Sequence, residues 1–400
     1  MAKRRARLAS VSASGIKAAD GLAWEFLDTH HLNPMNSTRS TPNLQQINDL
    51  EDDKARFSDP EARRLPANAV DEEHNELTIG PCKELVDISA VGELDWLIAL
   101  QIVDCPALER IDGVEQLRGL HHLTIQSCPE IDSLRSVAGL ETLSTLAVRD
   151  NHKLTDLDGV QGPRGLIELE IEGAKELSDT AALLEACEIS NLRLRKCPKI
   201  REIEWLETHP DLYELDLSFS SGIEDFSPLK HLQELVVLQL VEQPYLHALA
   251  DLPRSSELCF LDVGYCSNLV DITGLTACPG LMHLHMNGCS GVEDFSAIDE
   301  LKDLHAFSIA DNPHLQNVDF LAERPWLESI LIDNCRHVHN LDALATLPRL
   351  QELNLRFLPN LRAFEFIDRI PLEKVRCFND SELAQRIQTQ CPNVKVNPPD

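Results

Sequence analysis

Asp262, His285 and Ser308 stand 23 residues apart, in the order acid, imidazole, hydroxyl. Those side chains suit a nucleophilic serine: a base to take its proton and a carboxylate to orient the base. The chemistry also needs an oxyanion hole and an enclosed pocket for the acyl group. His283 adds a second imidazole, so His283, His285 and Asp262 together carry the donor types of a metal site. No H-E-x-x-H pair, phosphate-cradling glycine loop or serine elbow accompanies them. With 15 histidines and abundant Asp and Ser, coincidence is the simpler reading. The chain is therefore read as not an enzyme, with no catalytic residue, metal or cofactor. Charged side chains recur at the same step: Glu170, Arg193 and Asp216, with Glu168, Glu172, Asn191, Arg195, Lys196 and Glu214 around them.

The 23-residue step belongs to the chain as a whole. It connects Ile79, Ile102, Ile125, Val148, Ile171, Leu194, Leu217, Leu240, Val263, Met286, Ile309, Ile332 and Leu355, thirteen apolar anchors without an insertion or deletion. A leucine, phenylalanine or isoleucine stands two residues before every anchor, and another aliphatic twelve residues after it. The stretch LIALQIVDCPALERI (Leu97 to Ile111) shows what each unit does. It opens with leucine-x-leucine alternation, the period of a strand. It then carries Cys105, Leu108, Ile111 and Val114 at every third position, which suits a turn-rich or 3₁₀ return segment. A lone strand cannot bury its apolar face, so the units must stack, with parallel strands side by side. Thirteen strands at roughly 4.8 Å spacing give an inner sheet roughly 58 Å along its arc.

Three residues after the anchors stand Cys82, Cys105, Cys128, Asn151, Ala174, Cys197, Ser220, Gln243, Cys266, Cys289, Asn312, Cys335 and Leu358. Here the chain turns inward and its backbone groups lose ladder partners. A small side chain that tolerates burial and donates a weak hydrogen bond fits. Seven of the 12 cysteines fill this slot, and no C-x-x-C pair occurs, so reduced, buried thiols are expected rather than disulfides or zinc.

The units resemble leucine-rich repeats, with the pattern L-x-x-L-x-L-x-x-C/N-x-x-L-x-x-I-x-x-L over residues 74–372. The cysteine-bearing, 23-residue form is similar to repeats of bacterial cytoplasmic members and of plant resistance proteins. The resemblance implies an α/β solenoid: a right-handed leucine-rich-repeat horseshoe, with about 13 parallel short strands on the concave face and turn or 3₁₀ segments on the convex face. It also implies protein recognition through the concave sheet. A bacterial ubiquitin-ligase class with such repeats carries a long catalytic domain after them, and nothing of that size follows here.

Residues 1–73 are expected to form an N-terminal extension and cap, with Trp24 and Phe26 plugging the first coil, and residues 373–400 a C-terminal cap. In the latter, Ser381 is expected to cap a helix carrying Leu383, Ala384 and Ile387, with a short strand around Val394 to Val396. Two coils look irregular. Ser178 to Cys187 changes to a helical period with Ser178 as its cap, and Pro253, Ser255 and Ser256 suggest a looser, exposed return. The start, MAKRRARLASVSASGIKAADG, has a basic head but no apolar run behind it, so no secretory signal or membrane helix is expected. With reduced cysteines, this points to the cytoplasm.

Sixty-six acidic against 36 basic residues give a formal charge of -30. Nucleic acid is a poor partner for that balance, because phosphate needs clustered positive side chains. A basic protein partner suits it. Strand alternation directs the residues three before, one before and one after each anchor out of the inner sheet. Glu170, Arg193 and Asp216 then form an ion-pair row with Arg195, Lys196 and Phe219 nearby. Further along come Phe260, Tyr265, His283 and His285. Exposed aromatics there would serve as contact points for a partner. The expectation is a non-enzymatic protein-binding scaffold of the inhibitor, immunity or regulatory kind. The alternative is an adaptor or sensor that docks through residues 1–70.

Overall fold

Every apolar slot of the 23-residue unit is buried, and this builds the architecture. The computed structural model describes residues 54–66, 74–186, 189–362, 366–372, 374–377, 381–390, 392 and 394–396. The expectations for Trp24 and Phe26 lie outside the described residues. A single parallel sheet of 16 strands runs in chain order. Its first members are β1 (Lys54–Phe57), β2 (Glu76–Ile79), β3 (Ala99–Val103), β4 (His122–Gln126) and β5 (Thr145–Arg149). There follow β6 (Glu168–Glu172), β7 (Asn191–Arg195), β8 (Glu214–Asp216), β9 (Val237–Gln239), β10 (Phe260–Asp262) and β11 (His283–His285). The last are β12 (Ala306–Ala310), β13 (Ser329–Asp333), β14 (Glu352–Arg356), β15 (Lys374–Arg376) and β16 (Lys395–Val396).

The anchors are in register: Ile102 pairs with Ile125, Ile125 with Val148, and Val148 with Ile171. The sheet is longer than the thirteen anchored strands, because β1 adds a strand at one end and β15 and β16 at the other. The fold is the expected leucine-rich-repeat horseshoe, with parallel strands on one face and 3₁₀ or turn segments on the other. Leu100, Ile102, Cys105, Leu108 and Val114 have no exposed surface, and the same slots in successive coils form one continuous core. Return segments such as Arg135–Gly139 and Thr273–Ala277 are 3₁₀ helices.

β8 to β11 span only three residues each, and the local side chains supply a reason for two of them. The Asp216 carboxylate accepts the amide N–H of Ser218 at 2.8 Å, and Asp262 accepts that of Gly264 at 2.8 Å. Those amides are therefore taken from the ladder one residue after the anchor. The chain then turns. Twelve successive coils place the residue two after the anchor at positive φ, from Asp104 to Phe357. Asp104, Asp150, Asp311, Asn334, Gly173 and Gly288 suit that left-handed geometry, whereas Phe219, Tyr265 and Phe357 are unusual there.

Both irregular coils differ from expectation. The first closes as a short 3₁₀ helix, Ala181–Leu184, and its opening N–H (Ala181) is held by Asp179 Oδ1 at 2.9 Å, not by Ser178. Cys187 lies outside the described residues. In the second, Pro253 and Ser255 are buried rather than exposed, and Ser256 is exposed as expected. The Ser255 hydroxyl donates to the Gln233 carbonyl at 2.8 Å, which compensates for the missing 3₁₀ helix. After β15, helix α1 (Ser381–Gln390) buries Leu383 and Ile387 against the final coils. Among the described residues no helix is long and apolar enough to cross a membrane.

Candidate functional site

On the concave face, β6, β7 and β8 bring the charged residues together. Their register aligns Glu170 with Arg193 and Arg193 with Asp216, as the spacing requires. The ion pairs run diagonally instead of along that row. Arg149 binds Glu170 through both forks, Nε to Oε1 at 2.6 Å and Nη2 to Oε2 at 2.7 Å. Arg193 holds Glu214 by Nε at 2.8 Å and Nη2 at 3.0 Å, and Glu168 by Nη1 at 2.5 Å. Glu170 is 4.0 Å from Arg193, and Arg195 Nε lies 3.2 Å from Asp216 Oδ2. A guanidinium gains more from a two-pronged contact with one carboxylate than from single contacts with two, and its length lets it choose.

Burial sets the electrostatics of this group. It pushes the Asp216 carboxyl up, against the pull of Arg195. It would also push Glu172 up, but Arg195 and Lys196 outweigh it and hold that carboxyl below its usual range. For Arg193, burial acts downward, and the carboxylates of Glu214 and Glu168 more than reverse it. Lys196 Nζ is 2.6 Å from Glu172 Oε1, with its side chain half exposed. The result is a set of charges fixed in place before any partner arrives.

The aromatic region does not have the expected exposure. Phe260 is only 5% exposed: its ring lies 5.1 Å from His285, edge to face, and 6.1 Å from His283. His283 and His285 are buried as well. The three rings cover one another across β10 and β11, so none is open on the inner sheet. Phe219 and Tyr265 sit in the left-handed turns after their strands, not on the strand face. Tyr265 is exposed and lies over the next coil, where a Cβ on Gly288 would stand 2.6 Å from its Cδ1. The glycine makes room for the ring.

Asp262, His285 and Ser308 do pair across β10, β11 and β12. Their contacts do not make a proton relay. His285 Nδ1 stands 3.7 Å from Asp262 Oδ2, and the Ser308 hydroxyl donates to Asn287 Oδ1 at 2.7 Å. Among the described residues no group of three or more His, Cys, Asp or Glu side chains could hold a metal ion.

The cysteine slot works as its position implies. Sγ of Cys266 is 3.1 Å from the Leu240 carbonyl, and Sγ of Cys289 is 3.1 Å from that of Val263. Ser220 and Gln243 donate to the corresponding carbonyls of Leu194 and Leu217, each at 2.6 Å. Asn151 is different: its Oδ1 accepts the Cys128 amide at 3.4 Å. The ten described cysteines are all free thiols.

Two features escaped the sequence reading. Eight residues after many anchors an Asp or Asn accepts the N–H two residues on, as in Asp225 to Ser227, Asp271 to Thr273 and Asn340 to Asp342. The recurrence of Asp and Asn in that slot was the available signal. Arg324 is 2% exposed, with Nη2 on the carbonyls of Phe320 at 2.8 Å and Ile298 at 3.1 Å. Its slot, fifteen residues after the anchor, holds buried Leu94, Leu117, Leu140, Leu232, Leu301 and Leu347 in other coils, so the register itself marked this arginine as interior.

No family model and no curated protein matches the sequence. Solved structures do. An internalin from Listeria monocytogenes superposes with a TM-score of 0.55 at 18% identity, covering 70% of this chain and 80% of that one. A leucine-rich-repeat protein from Leptospira interrogans has a TM-score of 0.47 at 17% identity, covering 90% of this chain and 100% of that one. The first establishes the fold. It also corrects the cytoplasmic expectation: internalins are secreted or surface-anchored bacterial proteins, not cytoplasmic ones.

Proposed function

We propose that this chain is a non-enzymatic scaffold that binds a protein partner through the concave sheet. An inhibitor, immunity or regulatory role suits it, and its charge of -30 favours a basic partner over a nucleic acid. One observation carries the reading: Arg149, Glu170, Arg193, Glu214, Arg195 and Asp216 lie on adjacent strands of the inner face, each already locked by a neighbour. Side chains held in this way lose little rotamer freedom on binding, which favours association. Lys196 and Tyr265 are exposed and lie outside this set, at the rim where the strands end.

The test is capture of partners by the immobilised full chain, repeated with Lys196→Ala plus Tyr265→Ala and, as a control on the outer side, Val270→Ala. A specifically captured protein should be lost with the first variant and kept with the second. Capture that ignores Lys196 and Tyr265 but fails with Val270→Ala removes the concave face as the binding surface.

A further inference from the structure

The formal charge is unevenly distributed: residues 331–400 hold nine basic and nine acidic side chains, so the whole of -30 falls in residues 1–330. In that neutral terminal part an open cleft of about 490 Å³ lies between the coils of β13 and β14 and helix α1. Its lining is Asn334, Arg336, Phe357, Leu358, Pro359, Arg362, Leu383 and Arg386, three arginines and no carboxylate among the described residues.

Polar contacts position two of the three arginines, Arg336 and Arg386, and all three line the cleft. Asn334 donates through Nδ2 to Asp311 Oδ1 at 2.6 Å and accepts Arg336 Nε at 3.2 Å. That fixes the base of the Arg336 guanidinium while its two terminal nitrogens stay available. Arg386 reaches from α1 to the carbonyls of Leu361 at 3.2 Å and Arg362 at 3.3 Å, which ties the helix to the coil and forms one wall. Arg336 and Arg362 are exposed. Phe357, 40% exposed and held at φ 48, supplies an aromatic surface beside them.

We propose that this cleft binds an acidic peptide segment of a partner protein, with carboxylates flanking an apolar side chain. Paired guanidinium forks match carboxylates. Phe357 and Pro359, both exposed, give the apolar residue a place to lie, and a cleft of about 490 Å³ is larger than a lone anion needs. Elsewhere the charge of residues 1–330 repels an acidic chain, so this end is where one can approach. The site lies four coils beyond Tyr265 along the same row of turns and is opposite in charge preference to the group around Arg193.

Phe357 offers a way to separate binding from folding. The neighbouring coil has Asn334 in the same left-handed position, so Phe357→Asn removes the ring and keeps a residue that accepts this backbone. The experiment is fluorescence anisotropy with the full chain and a labelled peptide in which glutamates surround one phenylalanine. Its controls are the same peptide with glutamine for glutamate and inorganic phosphate as competitor. The glutamate peptide should bind, and weaken at least about tenfold in Arg336→Gln plus Arg362→Gln and several-fold in Phe357→Asn, with melting temperatures unchanged. Higher salt should weaken it further. Absence of binding, equal binding of the glutamine peptide, or full binding by the double arginine variant overturns the proposal. Displacement by phosphate at the peptide's own concentration would show a small-anion site and overturns it too. Lys196→Ala plus Tyr265→Ala should leave this binding intact, so the outcome is separate from that of the concave face.

Discussion

At position 266 a buried sulfur does the work that a hydroxyl does at 220 and an amide at 243, each donating to a carbonyl of the preceding coil. Cys266→Ala should leave the Leu240 carbonyl unanswered and cost about 1–3 kcal/mol in denaturant unfolding, with Cys266→Ser costing less. Burial pushes the thiols of Cys197, Cys266 and Cys335 up to about 12. Folded thiols then keep protons that unfolded thiols, with a usual value of 9.0, give up. Stability should therefore fall as pH rises above about 9, and less so in Cys→Ser variants. A thiol reagent should leave these groups untouched in the native protein and titrate them after denaturation; rapid native labelling would contradict their burial. On the inner face, Arg193→Ala removes a side chain only 16% exposed and strands the carboxylates of Glu168 and Glu214. A loss of about 2 kcal/mol is expected, measured by chemical unfolding. The spacing of Glu170, Arg193 and Asp216 made their alignment legible. It could not show which carboxylate each guanidinium chooses, because that depends on the reach of flexible side chains across several strands.

A coil is made of three pieces: a strand, a left-handed turn and a return segment opened by a side-chain carboxylate or amide. In that last role, Asp225, Asp271 and Asp294 accept backbone N–H groups, which holds their carboxyls below the usual 3.8. Groups shifted downward lend stability that is complete above about pH 3.8 and disappears as pH falls through the folded value. Asn340 makes the same contact without titrating. A triple variant with Asn at 225, 271 and 294 should match the native protein at neutral pH and lose less stability on acidification. An identical acid profile would show that these caps do not titrate with folding. Asp271→Ala should cost about 1 kcal/mol at neutral pH, because the Thr273 amide then has only water. The strand and return periods were readable from leucine spacing. The left-handed turn was announced only in part, by Asp104, Asp150, Gly173, Gly288, Asp311 and Asn334, whereas Phe219, Tyr265 and Phe357 occupy it in other coils and hide the pattern.

Along the whole stack each interior coil meets only the coil before and the coil after, so stability is local and repeated. Leu215→Ala and Leu284→Ala, both fully buried in interior coils, should cost similar amounts, about 2–5 kcal/mol each. Strongly unequal losses in denaturant unfolding would mean that the coils do not share one environment. The sequence by itself determined the solenoid, its register and the identity of the buried slots, because a partner 23 residues away in every coil is a one-dimensional relation. Only the tertiary structure decided that Phe260 is covered by His283 and His285, that Ser308 turns to Asn287, and that Arg336 and Arg362 share a cleft with α1. Those outcomes depend on side-chain reach and on contacts between the repeating coils and a non-repeating helix, which no periodicity encodes.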